Sequence, residues 1–227
     1  MKIGILQTGL VPEDLVSAFG EYPQVFQDLL AEHGFDFDSY SVVRGEFPSG
    51  PEAADGWLIT GSRHGVYEDH DWIPPLEELI RGAVAADRPV VGVCFGHQII
   101  AQALGGHVEK FKGGWAIGPQ DYELNGETVT VNAWHQDQVI TPPEGAETVG
   151  SNAFCQHAAL LYPGKAYSVQ PHPEFSDAYT QALIDTRGPG LVPQDILDSA
   201  AKRLGAPLSQ AKLAAQFALF FREGRIS

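Results

Sequence analysis

Residues 90–106, VVGVCFGHQIIAQALGG, set a run of valines directly against a helix-like pattern, with Gly-x-Cys-x-Gly at the junction. RPVVGV at 88–93 reads as a short buried strand, and 96–104 carries apolar residues at helical spacing. So sharp a passage from strand to helix belongs to chains in which the two alternate, and the preceding residues keep the same rhythm. KIGILQ within 1–7 reads as a strand, 10–33 as a helix stopped at Gly34, and FDFDSYSVV at 35–43 as a second strand. WLIT at 57–60 is a third strand, ending at Gly61, and 73–87 is helical. Strand, helix, strand, helix predicts an α/β fold with a mostly parallel central sheet and helices on both faces.

The texture changes at His107. HVEKF (107–111), AIGPQDYEL (116–124), ETVTVN (127–132) and QVIT (138–141) are strand-like pieces separated by Gly, Asn-Gly and Pro turns. With no helix between them, they predict a small antiparallel excursion from the main sheet. KAYSVQ (165–170) is a last strand, followed by helices at 177–186, 194–204 and 209–221, with the loop RGPGLVPQ between the first two. No repeat or low-complexity linker divides residues 1–227, so one domain is expected; 44 % apolar content suffices for a sizeable core.

Fourteen Lys and Arg against 29 Asp and Glu give a formal charge of −15, which repels phosphate backbones, and no basic cluster offsets it. Nucleic acid is therefore not an expected partner. No stretch approaches the roughly 18–20 apolar residues of a membrane span, and MKIGILQTG lacks the cleavage pattern of a signal peptide. A cytoplasmic protein without membrane contact is expected. Cys94 and Cys155 are too few for a disulfide framework and read as free thiols of a reducing compartment.

Cys94 falls immediately after a strand and immediately before a helix, the form of a nucleophile elbow. The first turn of the following helix offers N–H groups and the positive end of the dipole to a thiolate and to an adjacent oxyanion. A buried structural cysteine between packing glycines is the plainer alternative. A thiol nucleophile needs a base and an orienting group. In SVQPHPEF, two prolines put His172 just past a strand end, and Glu174 lies two residues on, pointing the same way if the chain is extended. The carboxyl end of the sheet is where open α/β folds place their sites. Cys94, His172 and Glu174 are thus the candidate nucleophile, base and orienter.

GVCFGHQIIAQALGG and QPHPEF, about 78 positions apart, resemble the triad signature of class I glutamine amidotransferase domains. DGWLITGSRHGVYED, GGWAIG and NAWHQDQV resemble free-standing members described as GMP-synthase-like, and the similarity spans most of the chain. The resemblance implies a single flavodoxin-like three-layer sandwich. It also implies that Cys94 attacks the side-chain amide of glutamine, forming a γ-glutamyl thioester and releasing ammonia, with His172 moving the protons. The N–H of Phe95 and the loop at Gly61 are the implied oxyanion donors, each worth roughly 3 to 4 kcal/mol in such sites. Gln98, Trp134, His135 and Gln136 are the implied substrate neighbours. No cofactor is implied. Relatives linked to synthetases usually carry Gly-Gly-Pro at the oxyanion loop and Gly after the histidine of the WHQD segment; this chain has Gly61-Ser62-Arg63 and Gln136.

Three functions follow from these residues: a glutaminase handing ammonia to a separate synthetase, a γ-glutamyl peptidase or hydrolase using the same triad, and a non-catalytic or redox-sensing binding protein. No phosphate-binding loop accompanies the thiol, so an ammonia acceptor is expected on another polypeptide or not at all. His97, inside the helix, reads as packing, and Cys155 as buried and inert. His135 and Asp137 share one face of a strand. His64, Tyr67, Glu68 and Asp69 read as a polar turn or a rim of the site. No metal is expected, since neither His-Glu-x-x-His nor paired Cys-x-x-Cys is present.

Overall fold

The computed structural model describes residues 1–227. Its alternating half comprises β1 (Lys2–Leu6), α1 (Glu13–Phe19), α2 (Tyr22–Leu29), β2 (Asp36–Tyr40), β3 (Gly56–Ile59), α3 (Ile73–Ala85), β4 (Val90–Val93) and α4 (Phe95–Ala103). Then follow β5 (His107–Lys110), β6 (Ala116–Leu124), β7 (Glu127–His135), β8 (Asp137–Thr141), β9 (Glu147–Ser151), β10 (Ala159–Tyr162) and β11 (Ala166–Val169). The chain ends with α5 (Asp177–Thr186), α6 (Gln194–Arg203) and α7 (Gln210–Glu223).

One mixed sheet runs in the order β2-β1-β3-β4-β11-β10-β9-β6-β7. Its first five strands are parallel neighbours and the last four extend it by antiparallel pairing. β5 and β8 form a separate antiparallel ribbon. The antiparallel excursion is therefore mostly part of the main sheet, and only the ribbon leaves it. Strand alternation sends successive side chains to opposite faces. Leu58, Val91, Val93, Tyr167 and Val169 join Phe26 of α2 and Phe217, Phe220 and Phe221 of α7 in one core. Trp57, Ile59, Val90 and Ala166 join Leu76 and Ile80 of α3 and Ile99 and Ile100 of α4 in the other. The parallel strands are buried on both faces, which is why they read as unbroken apolar runs.

The expected helix over 10–33 is two helices. Gly20 takes a backbone conformation reserved for glycine (φ 77°, ψ 179°), and Pro23, lacking an N–H, sits in the first turn of α2. The second strand stops at Tyr40, where Val42 turns into the core through a short 3-10 segment. β7 runs three residues past Asn132, to His135, because β6 pairs with it along its full length. Asn125 and Gly126 (φ 50° and 78°) make the tight turn that joins them. The sequence pattern does not signal β9 and β10. Each is short, and β10 joins β11 through a Pro163–Gly164 turn that masks the pair as one loop. No helix is long and apolar enough to cross a membrane.

Candidate active site

Three neighbouring parallel strands bring the candidate residues to one end of the sheet. Ile59 of β3 is level with Gly92 of β4, and Val93 of β4 with Val169 of β11. Gly61, Cys94 and His172 follow those strands within three residues, so 78 positions of sequence separate side chains that the sheet sets side by side.

Cys94 itself carries the strain of the turn, with φ 54° and ψ −104°, a conformation costing on the order of 1–3 kcal/mol for a residue with a Cβ. Its N–H donates to the Val169 carbonyl at 2.9 Å. The flanking glycines supply space. A Cβ on Gly92 would collide with the carbonyl of Gly96, and one on Gly96 with the carbonyl of Ile59. Phe95, the first residue of α4, has an N–H with no acceptor inside the helix.

His172 lies between prolines, so it alone in that triplet can donate from the backbone, and it does so to the Asn132 carbonyl of β7 at 2.8 Å. Its Nδ1 meets Glu174 Oε1 at 2.7 Å, and its ring stacks on Phe175 with centroids 3.9 Å apart. Both side chains are buried, and Glu174 Oε2 has no partner. Burial opposes charge on His172, but the negative charges of Glu174 and Cys94, with hydrogen bonds to both, overcome it and raise the imidazole to about 10. With Nδ1 held by Glu174, Nε2 is the nitrogen left for Cys94. Gly61 closes the group from the β3 side: a Cβ there would stand 2.9 Å from His172 Cε1 and 3.7 Å from Cys94 Cβ. The Gly61 carbonyl accepts hydrogen bonds from the hydroxyls of Thr8 (3.2 Å) and Thr60 (3.1 Å). A planar trans peptide then aims the Ser62 N–H the opposite way.

The implied substrate neighbours divide. Gln98, buried on α4, donates through Nε2 to the Asp137 carbonyl (2.9 Å) and to Gln170 Oε1 (3.0 Å), binding three segments together. His135 bonds through Nδ1 to the same carbonyl at 3.2 Å, so its proton sits on Nδ1 and its buried Nε2 is a free acceptor. Burial and the charge of His172 push it down to about 3. Gln136 donates through Nε2 to the Phe111 carbonyl (3.3 Å). Trp134 packs against the apolar clusters around α5. Asp137 ties the rim: Tyr67 donates to its Oδ2 at 2.9 Å, joining the loop after Gly61 to β8.

His97 is wholly buried and bonded through Nδ1 to Ser168 Oγ at 2.8 Å; burial and His135 lower it to about 3. It is a neutral packing residue. Cys155, 1 % exposed, is raised to about 12 by burial. Thr8, Thr60, Asn132 and Phe175 carry no signal in the sequence, because each matters only through a partner distant in the chain. His64, Glu68 and His70 converge on one side of the Gly61 loop, although their spacing fits no common metal motif.

Residues 40–184 match the model of the family described as "Glutamine amidotransferase class-I". The chain belongs to the class I glutamine amidotransferase family. Among relatives of the family, "Gamma-glutamyl peptidase 4" of Arabidopsis thaliana is 33 % identical over 185 residues, covering 74 % of this chain and 73 % of that protein. The glutamine-hydrolysing GMP synthase of Pyrobaculum aerophilum is 29 % identical over 169 residues, covering 70 % of this chain and 32 % of that protein. The solved glutamine amido transferase of Methylobacillus flagellatus superposes with a TM-score of 0.75 at 21 % identity, over 99 % of this chain and 94 % of that one, and so shares the fold. The matched span of this class I amidotransferase chain holds Gly61, Cys94, His172 and Glu174 alike.

Proposed function

We propose that this chain hydrolyses γ-glutamyl amide bonds through a thioester on Cys94. The observation that carries the reading is the buried His172–Glu174 pair set against Cys94 at the start of α4. The thiol proton rests on His172, and the Cys94 sulfur, as thiolate, forms a bond to the γ-carbonyl carbon. The oxygen of the resulting adduct faces donors at the Phe95 N–H and the Gly61–Ser62 loop. His172 Nε2–H then gives its proton to the amide nitrogen as the C–N bond breaks, leaving the thioester. Water, deprotonated by His172, attacks the same carbon, and glutamate leaves as the thiol is restored. Glu174 holds the imidazole in the tautomer this requires.

Glutamine, which releases ammonia, is the smallest substrate of this chemistry. γ-Glutamyl peptides are the second reading, supported by the likeness to the plant γ-glutamyl peptidase across three quarters of the chain and by Gln136 in place of glycine. For the glutaminase reading, the likeness to a GMP synthase, of whose length the match covers only 32 %, supports a separate ammonia-using synthetase as partner. The test is glutamate release from glutamine and from a panel of γ-glutamyl dipeptides, comparing the native chain with Cys94→Ala. The expected result is turnover that falls by more than about 1,000-fold in the variant. Turnover unaffected by Cys94→Ala, or labelling of Cys94 with hydrolysis of none of these compounds, overturns the reading.

A further inference from the structure

The loop that leaves Gly61 folds back on itself before α3, and three of its side chains converge. His64 Nδ1 lies 3.2 Å and His70 Nε2 2.8 Å from the same oxygen, Glu68 Oε2, and one ligand atom from each of the three residues falls within 4.8 Å of the other two. Both imidazole rings pack on Trp72, His70 stacked at 5.7 Å and His64 edge-on at 5.9 Å. The backbone under them is a chain of short turns: Glu68 N–H to Gly65, His70 N–H to Glu68 and Ile73 N–H to His70, each at 3.0 Å. Gln102 of α4 fastens the loop from below through the Val66 carbonyl at 2.7 Å. All three ligating side chains keep an exposed fraction, between 21 % and 43 %, so an ion reaches them from solvent.

We infer that His64, Glu68 and His70 bind one divalent transition-metal ion of the zinc class. Two imidazoles and one carboxylate form a preferred donor set for zinc, with the fourth position open to water. Bonds of about 2.0–2.1 Å place tetrahedral ligand atoms roughly 3.3 Å apart; the two histidine–glutamate distances of 3.2 and 2.8 Å are near that value, and the two imidazoles offer ligand atoms within 4.8 Å of each other. The hard, oxygen-only coordination that calcium and magnesium require is not provided by two imidazoles. The site rests on no part of the thiol chemistry, yet it touches that chemistry by three routes. Its loop begins at Gly61 beside Cys94 and His172, Tyr67 of the same loop bonds Asp137, and Trp72 packs on Phe95 at 5.5 Å. An ion here staples the loop that forms one wall of the candidate active site, a structural rather than a reacting position.

The experiment is a Zn²⁺ titration of the full-length, untagged chain by calorimetry, with Co²⁺ as an absorption probe of coordination. Cys94 and His172 are a second pair able to capture zinc, so Cys94→Ala is titrated beside His64→Ala, His70→Ala and the near-isosteric Glu68→Gln, with circular dichroism to verify folding. One ion per chain is expected in the native protein and in Cys94→Ala. Affinity should fall in each loop variant by at least the roughly 10- to 100-fold that loss of even a supporting group costs. Absence of binding at micromolar Zn²⁺, or binding abolished in Cys94→Ala and retained in the loop variants, overturns the site. Because the readout is binding, it stands or falls separately from hydrolysis of any γ-glutamyl compound.

Discussion

At the scale of single residues, three buried histidines near one another are tuned in opposite directions. His172 gains negative partners and is raised to about 10, whereas His97 and His135 gain none and are lowered to about 3 by burial and by neighbouring imidazoles. The consequence for stability follows from which state binds the proton. For His172 the folded state holds it more tightly, so that contribution is complete below pH 6.5 and is lost as pH rises through about 10. For His97 and His135 the unfolded state holds it more tightly, so their contribution is complete above pH 6.5 and is lost as pH falls toward 3. Urea unfolding between pH 7 and 5 should therefore show native stability dropping more steeply than that of His97→Asn. The difference is at most about 1.4 kcal/mol per pH unit, the value of one proton. Equal slopes would mean that His97 is not held neutral in the folded chain.

At the scale of elements, the β4–α4 junction shows what the two glycines do. Cys94 itself takes the unusual φ, and the glycines on either side leave the room that lets backbones touch. Gly96→Ala would push a methyl into the Ile59 carbonyl of β3 and is expected to cost about 1–3 kcal/mol, the range for overpacking a filled interior. Urea midpoints of the two proteins measure it, and an unchanged midpoint would show that α4 shifts away from β3 freely. The same contact carries a second effect. Moving α4 displaces the Phe95 N–H, so a folded Gly96→Ala protein should lose turnover of γ-glutamyl substrates beyond what its stability explains.

At the scale of the whole molecule, nine strands share one hydrogen-bonded sheet and two cores lie on its faces, so the parallel half has no boundary with the antiparallel extension. One cooperative unfolding step is expected. Far-UV circular dichroism reports the backbone, and fluorescence reports the four tryptophans, Trp57 in β3, Trp72, Trp115 and Trp134 in β7; their urea transitions should coincide. Separate midpoints would mean that β6 to β10 melt as their own unit.

The sequence by itself determined the parallel strands, the Asn-Gly hairpin, the position of the elbow and the His-x-Glu pair. Each of these is local: an apolar run, a turn residue or a spacing of two. The tertiary structure alone decided that β3, β4 and β11 are neighbours, which is what places Gly61, Cys94 and His172 together. It also decided that Gln136 turns to Phe111 and Trp134 to α5. Those outcomes depend on strand order and on contacts between distant segments. Periodicity along a chain records which face of an element is buried and carries no record of what it is buried against.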